Sequence, residues 1–188
     1  FEGQTDDRAD EYINILYQLR GYIEMNELEN AGKFLKELEH YKIFHPFAKT
    51  EEAEYYLKKN QEDNGLEYAK KALDIMEEVE FEYSDNSYVE RVYADTLVEN
   101  KKTDKALEIY NELIEKDGDK HTNAMIGKAK CFYYNEDLEQ AKELLEDVLE
   151  DQVQNQKCLD LLDSVNEKLV SQYKKELEEK QDAETCYQ

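Results

Sequence analysis

Apolar residues recur along the chain at helical spacing, in short stripes separated by polar breaks. The segments KKALDIMEEVE (from Lys70), DKALEIYNELIE (from Asp104) and EQAKELLEDVLE (from Glu139) each carry a small residue early. Apolar residues follow three or four positions later, which marks one face of a helix. ENAGKFLKELE, from Glu29, is a looser copy. Ala72 to Ala106 spans 34 residues and Ala106 to Ala141 spans 35. A period in this range marks repeated helical hairpins.

A second amphipathic segment precedes each copy. EYINILYQLRGYIE leads to a polar break at Met25–Glu27, and EEAEYYLKKNQ to one at Glu62–Gly65. YVERVYADTLVEN leads to Lys101–Thr103, and NAMIGKAKCFYYN to Glu136–Asp137. Thr50, Ser87 and Thr103 are placed to cap the helices they open, because a hydroxyl there accepts from an orphan amide. Asn64-Gly65 and Asp117-Gly118 are placed to supply the positive φ that ends a helix. The expected architecture is all-α, with helix pairs at 8–45, 50–82, 87–117 and 121–151. A C-terminal capping helix is expected at 154–181, with frayed ends at 1–7 and 182–188. Either Ala69 or Ala72 fits as the small packing residue of the second pair.

Several positions align across the pairs. The copy from Thr122 has Ala129, Phe132, Ala141 and Leu145, and the copy from Ser87 has Ala94, Leu97, Ala106 and Tyr110. The first copy offers Tyr22, Ala31 and Leu35, and the second offers Ala69 and Leu73. Over most of residues 8–151 this pattern resembles the tetratricopeptide repeat. It departs from that signature in lacking the leading Trp, in carrying Leu113 and Val148 at a usually small position, and in Gly118 for the terminal Pro. The resemblance implies an α-solenoid of about four antiparallel helix pairs wound as a right-handed superhelix. A repeat cannot bury its apolar face alone, so the last one needs a cap. Leu159, Leu162, Val165 and Leu169 form the apolar stripe of the helix that fits this role.

Charge narrows the function. The 24 Lys and Arg stand against 47 Asp and Glu, a formal net charge of -23. Such a chain repels phosphate backbones and anionic lipid, so nucleic acid is not an expected partner. No apolar run reaches the roughly 18 residues of a membrane helix, so no insertion is expected. The 15 Tyr and 6 Phe, periodically spaced, indicate a folded chain. Cys131, Cys158 and Cys186 are sparse and unpaired in sequence, which reads as reduced thiols and a cytoplasmic protein. The chain opens on Phe1 rather than Met, which leaves room for a removed upstream segment.

Candidate chemistry is thin. His40 and His45 are five residues apart, off the spacing that sets two ligands on one helix face, and His121 stands alone. The run DGDKHTNAMIGK, from Asp117, lacks the central Gly of a calcium loop and ends in Lys128 where a Glu is required. No phosphate cradle, nucleophile elbow or Cys/His pair appears. No catalytic residue, metal or cofactor is expected, and the chain reads as a non-enzyme.

The resemblance points instead to a concave groove lined by the first helix of each pair. It places Ile13, Leu16, Arg20 and Ile23 there from the first repeat, and Glu54 and Lys58 from the second. The third contributes Tyr88, Arg91, Asp95 and Val98, and the fourth Asn123, Ile126, Lys130, Tyr133 and Tyr134. Of the three aromatics at 132–134, Phe132 falls at the core position, and Tyr133 and Tyr134 fall on the groove side. A basic, aromatic groove on an acidic chain suits a partner peptide or helix bearing an acidic or carboxylate group. The carboxylate clamp of co-chaperone members is not expected, since no Lys-x3-Asn occurs. The implied function is a protein-binding scaffold. The alternative is a structural subunit or spacer docked by its convex face or C-terminal helix, and that helix leaves room for a homo-oligomer.

Overall fold

The computed structural model describes residues 3–41, 45–63, 71–72, 74–79, 86–117 and 121–185. Every regular element among them is an α-helix. The chain divides into two compact units, Phe1–Lys102 and Thr103–Gln188.

Unit 1 holds α1 (Gly3–Glu24), α2 (Leu28–Glu39), α3 (Pro46–Asp63), helical residues at 71–72 and 74–79 (α4), and α5 (Ser87–Glu99). α1 and α2 form a hairpin, α3 packs on both, and α5 packs on α3. Tyr12, Ile15, Leu19 and Ile23 of α1 interlock with Ala31, Leu35 and Leu38 of α2. Ala31 and Ala53 are fully buried, and the missing bulk lets the helix axes approach closely. Tyr22 stacks on Phe34 at 5.3 Å between ring centroids. Ala72 is fully buried in α4, while Ala69 and Leu73 lie outside the described residues.

Unit 2 holds α6 (Thr103–Asp117), α7 (Thr122–Tyr134), α8 (Leu138–Asp151) and α9 (Gln156–Thr185). Each packs on the next. Ala129, Leu138, Ala141, Leu145 and Val148 meet Cys158, Val165 and Leu169 of α9 in one core, with Leu161 and Leu162 against it. Gly127 is required by a close approach: a Cβ there would lie 2.4 Å from Cζ of the buried Tyr110. No helix among the described residues is long and apolar enough to cross a membrane.

Helix ends differ from several expectations. Thr50 does not cap α3, because Pro46 begins that helix one turn earlier; proline's fixed φ is already helical and its missing N–H is no loss at the first position. Thr50 Oγ1 instead donates to the Pro46 carbonyl at 2.9 Å. Ser87 is the first residue of α5 and the cap is Asn86, whose Oδ1 accepts from the amides of Tyr88 (3.1 Å) and Val89 (3.2 Å). Thr103 opens α6, and its Oγ1 donates to Asn135 Oδ1 at 2.8 Å. Gly65 and Gly118 lie outside the described residues. α1 begins at Gly3 and α9 runs to Thr185, both within stretches expected to fray; no Gly or Pro interrupts 156–185.

Among the described residues other than glycine, positive φ appears at Asn26 (59°), Lys101 (60°) and Glu136 (65°), after α1, α5 and α7. In each case the next amide bonds back over five residues: Glu27 to Tyr22, Lys102 to Leu97, and Asp137 to Phe132, all at 2.9 Å. This is the Schellman closure, which satisfies the carbonyls left over at a helix end. Among the described residues one turn geometry thus recurs at three non-glycine positions.

Candidate functional site

Three helices of unit 1 bring one set of polar side chains together. α1 supplies Arg20 and Glu24, α3 supplies Glu51 and Glu54, and α5 supplies Tyr88, Arg91 and Asp95. The spacings follow from helical period: Glu51 and Glu54 are three apart, and Tyr88, Arg91 and Asp95 lie three and then four apart. Each set therefore shares one helix face.

Tyr88 is the centre. Its Oη lies 2.8 Å from Glu51 Oε1 and 2.8 Å from Glu54 Oε2. Two guanidinium groups approach its ring, with Arg20 Cζ 5.1 Å and Arg91 Cζ 5.2 Å from the centroid, a cation–π arrangement on a partly desolvated ring. Arg91 Nη2 donates to Glu54 Oε2 at 3.2 Å, and Nη1 donates to Asp95 Oδ2. Arg20 Nε donates to Glu24 Oε1 at 3.1 Å and stands 3.9 Å from Glu51 Oε1. The two arginines differ in access: the Arg20 side chain is 49% exposed and that of Arg91 is 14% exposed.

Glu51 is only 3% exposed. Burial pushes its carboxyl up to about 7, and neighbouring Glu54 adds to the effect while the Tyr88 hydroxyl and Arg20 oppose it. A phenol has a single proton, so it cannot donate to two carboxylates at once. Below about pH 7 Glu51 carries its own proton, and Tyr88 then has one carboxylate to satisfy. Burial, with Glu54 and Glu51 alongside, raises the Tyr88 phenol as well, so it stays neutral. Four carboxyl groups (Glu24, Glu51, Glu54 and Asp95) surround two guanidiniums here, so the cluster is acidic in sum.

The remaining groove candidates separate. Ile23 and Val98 are buried at 1% exposure and belong to the core, because a helix face wide enough to line a groove also meets its neighbours at the edges. Leu16 is half-buried against the unit 1 core, whereas Ile13 is exposed. Lys58 stands one turn along α3 from Glu54, half-buried.

In unit 2, Asn123 is exposed and Ile126 packs against the core. Lys130 Nζ lies 5.8 Å from the Tyr134 ring centroid, and the rings of Tyr133 and Tyr134 are 5.6 Å apart. Tyr133 joins Phe132 against the core and is covered by Lys168 of α9 at 4.1 Å. Lys168 is held there by Glu136 at 2.7 Å. Of the two tyrosines placed on the groove side, Tyr133 is thus largely packing, because the capping helix lies across it.

Sequence reading missed Glu51 and Glu24. Glu51 occupies the same place on α3 as Tyr88 on α5 and Asn123 on α7, the second residue counted from Thr50, Ser87 and Thr122, and that register was the available signal. Among the described residues, no group of three or more His, Cys, Asp or Glu is arranged to hold a metal ion.

The family model described as Tetratricopeptide repeat matches residues 97–163. No curated protein matches the sequence. TTC0263, a thermophilic TPR protein in Thermus thermophilus, has a similar solved structure, with a TM-score of 0.64 at 13% identity over 88% of this chain and 86% of that one. MamA (41-end) from Desulfovibrio magneticus RS-1 gives 0.57 at 17% identity, over 86% and 85%. YrrB, described as a TPR protein with an unusual peptide-binding site, gives 0.55 at 17% identity, over 76% and 70%. At such identities the likeness is one of fold. Residues 97–163 thus carry the sequence pattern of the tetratricopeptide repeat, and over most of its length the chain shares the helical fold of solved tetratricopeptide-repeat proteins.

Proposed function

We propose that the chain is a non-enzymatic protein-interaction module that binds a peptide or helix of a partner on the first-helix face of unit 1. The observation that carries this is the convergence of Tyr88, Arg20 and Arg91 from two helices, braced by Glu51 and Glu54 from a third. Tyrosine and arginine held rigid before binding lose little entropy on contact, which is why such groups anchor interfaces. The description of YrrB as a protein with a peptide-binding site favours the same class of function for a related fold.

The charge of the partner follows from the pairing. Arg91 is engaged by Glu54 and Asp95, and Arg20 by Glu24. An acidic segment would have to displace these carboxylates and approach Glu51 as well. The segment this face suits carries hydrogen-bond donors or a positive charge, in place of the acidic or carboxylate group suggested by the sequence.

The test is affinity capture on the immobilised full chain, comparing the parent with a Tyr88→Ala variant of matched helicity. The partners taken by the parent are expected to fall at least about tenfold on the variant, since losing an anchor costs on the order of 2 kcal/mol. Undiminished capture would contradict the proposal.

A further inference from the structure

We propose that the cleft between α8 and α9 is a second docking surface, and that its occupant is a basic amphipathic helix from a partner protein. It lies within unit 2 and uses none of the residues of the unit 1 face. The cleft measures about 490 Å³, with Leu169, Val170 and Tyr173 of α9 supplying its apolar side.

The origin of this surface is a turn that does not occur. Cys158 and Val165 of α9 take the places that Ala124 and Cys131 hold one repeat earlier in α7, and all four are buried. In that register the polar turn Asn135–Asp137 corresponds to residues 169–171, Leu-Val-Ser. Those residues continue a helix, and α9 runs on to Thr185 without folding back. After α7, a returning helix buries Leu138, Ala141, Leu145 and Val148. After Leu169, α9 instead leaves Val170, Tyr173 and Leu177 open at 50%, 55% and 58% exposure, three and four residues apart. That spacing is the stripe against which another helix packs.

Charge selects the occupant. The α8 side of the cleft presents Glu139, Glu143 and Glu146 on one face. Among the described residues the one cation lining it, Lys142, is paired with Glu146 at 3.7 Å, and Tyr173 Oη donates to Glu139 Oε1 at 3.1 Å. An apolar floor with carboxylates along one edge complements a helix whose apolar stripe is flanked by Lys or Arg, and opposes an acidic one.

The test uses the full chain and fluorescence anisotropy with a labelled synthetic helix of about five turns, Leu on one stripe and Lys beside it. Two control peptides replace every Lys by Glu, or scramble the order so that no stripe remains. Two variants carry equal charge changes: Glu143→Lys with Glu146→Lys at the cleft, and Glu29→Lys with Glu37→Lys on the exposed face of α2. The Lys peptide is expected to bind, the controls to bind at least about tenfold more weakly, and only the cleft variant to lose the Lys peptide by a similar factor. Equal binding of the scrambled peptide, or equal loss in the α2 variant, would overturn the proposal, since both report attraction to net charge alone. Sedimentation of the chain and of its Val170→Asp, Leu177→Asp variant covers the remaining case. Self-association that this variant abolishes would show a second copy to be the occupant and would also overturn it.

Discussion

Tyr88 has one hydroxyl proton and two carboxyl oxygens at 2.8 Å, so the state of Glu51 controls this cluster. The folded-state value of Glu51, about 7, lies above its ordinary 4.5. The folded chain therefore holds more protons than the unfolded chain between these values, and stability falls as pH rises across that window. The contribution is fully present below about pH 4.5 and gone above about pH 7. Denaturant titrations from pH 4.5 to 7.5 should show this slope as the difference between the parent chain and Glu51→Gln, which has no proton to lose. An identical pH profile for the two would refute a protonated Glu51. Gly127 offers a second residue-scale prediction. A methyl there would meet Tyr110 well inside contact distance, so Gly127→Ala should destabilise the chain by ~1–3 kcal/mol in urea unfolding. An unchanged midpoint would mean that Tyr110 can move aside.

At the scale of elements, helix identity was legible and the residues that start the helices were not. The buried alanines at 31, 72, 94, 106 and 141 stand where the repeat pattern needs close approach, so stripe and period sufficed to find the helices. A start site depends on a single local contest. Thr50 and Ser87 look like caps in isolation, yet Pro46 and Asn86 lie upstream and win, one by preset φ and one by a geometry that reaches two amides. Asn86→Ala should thus cost ~1 kcal/mol in stability, and Ser87→Ala much less, by chemical denaturation of each. Equal losses would return the cap to Ser87. The polar breaks at Met25–Glu27, Lys101–Thr103 and Glu136–Asp137 were legible, but not which residue turns the chain: an asparagine, a lysine and a glutamate adopt positive φ where the Schellman bonds demand it. Lys101→Gly should relieve that strain and stabilise by ~0.5–1 kcal/mol, with a smaller gain for Asn26→Gly because Asn tolerates the conformation. A loss of stability in Lys101→Gly would count against the turn.

At the scale of the whole molecule, the net charge of -23 weighs against phosphate backbones as partners, and the charge of the groove residues depends on pairing between helices. Arg20 and Arg91 read as a basic lining when counted along their own helices. Tyr88, Arg91 and Asp95 were legible from their shared face and Glu54 from its own helix, whereas the buried Glu51 was not, and the pairing of both glutamates with this face offsets the charge. Pairing between elements is what a one-dimensional pattern cannot supply. On the proposed reading, unit 1 binds a partner segment across α1, α3 and α5. Hydrogen–deuterium exchange of the full chain, with and without a peptide from a captured partner, tests it most directly. Added protection is expected in α1, α3 and α5 around Arg20, Glu54 and Tyr88, absent in the Tyr88→Ala variant. Protection confined to α2 or to the helices of unit 2 would contradict it.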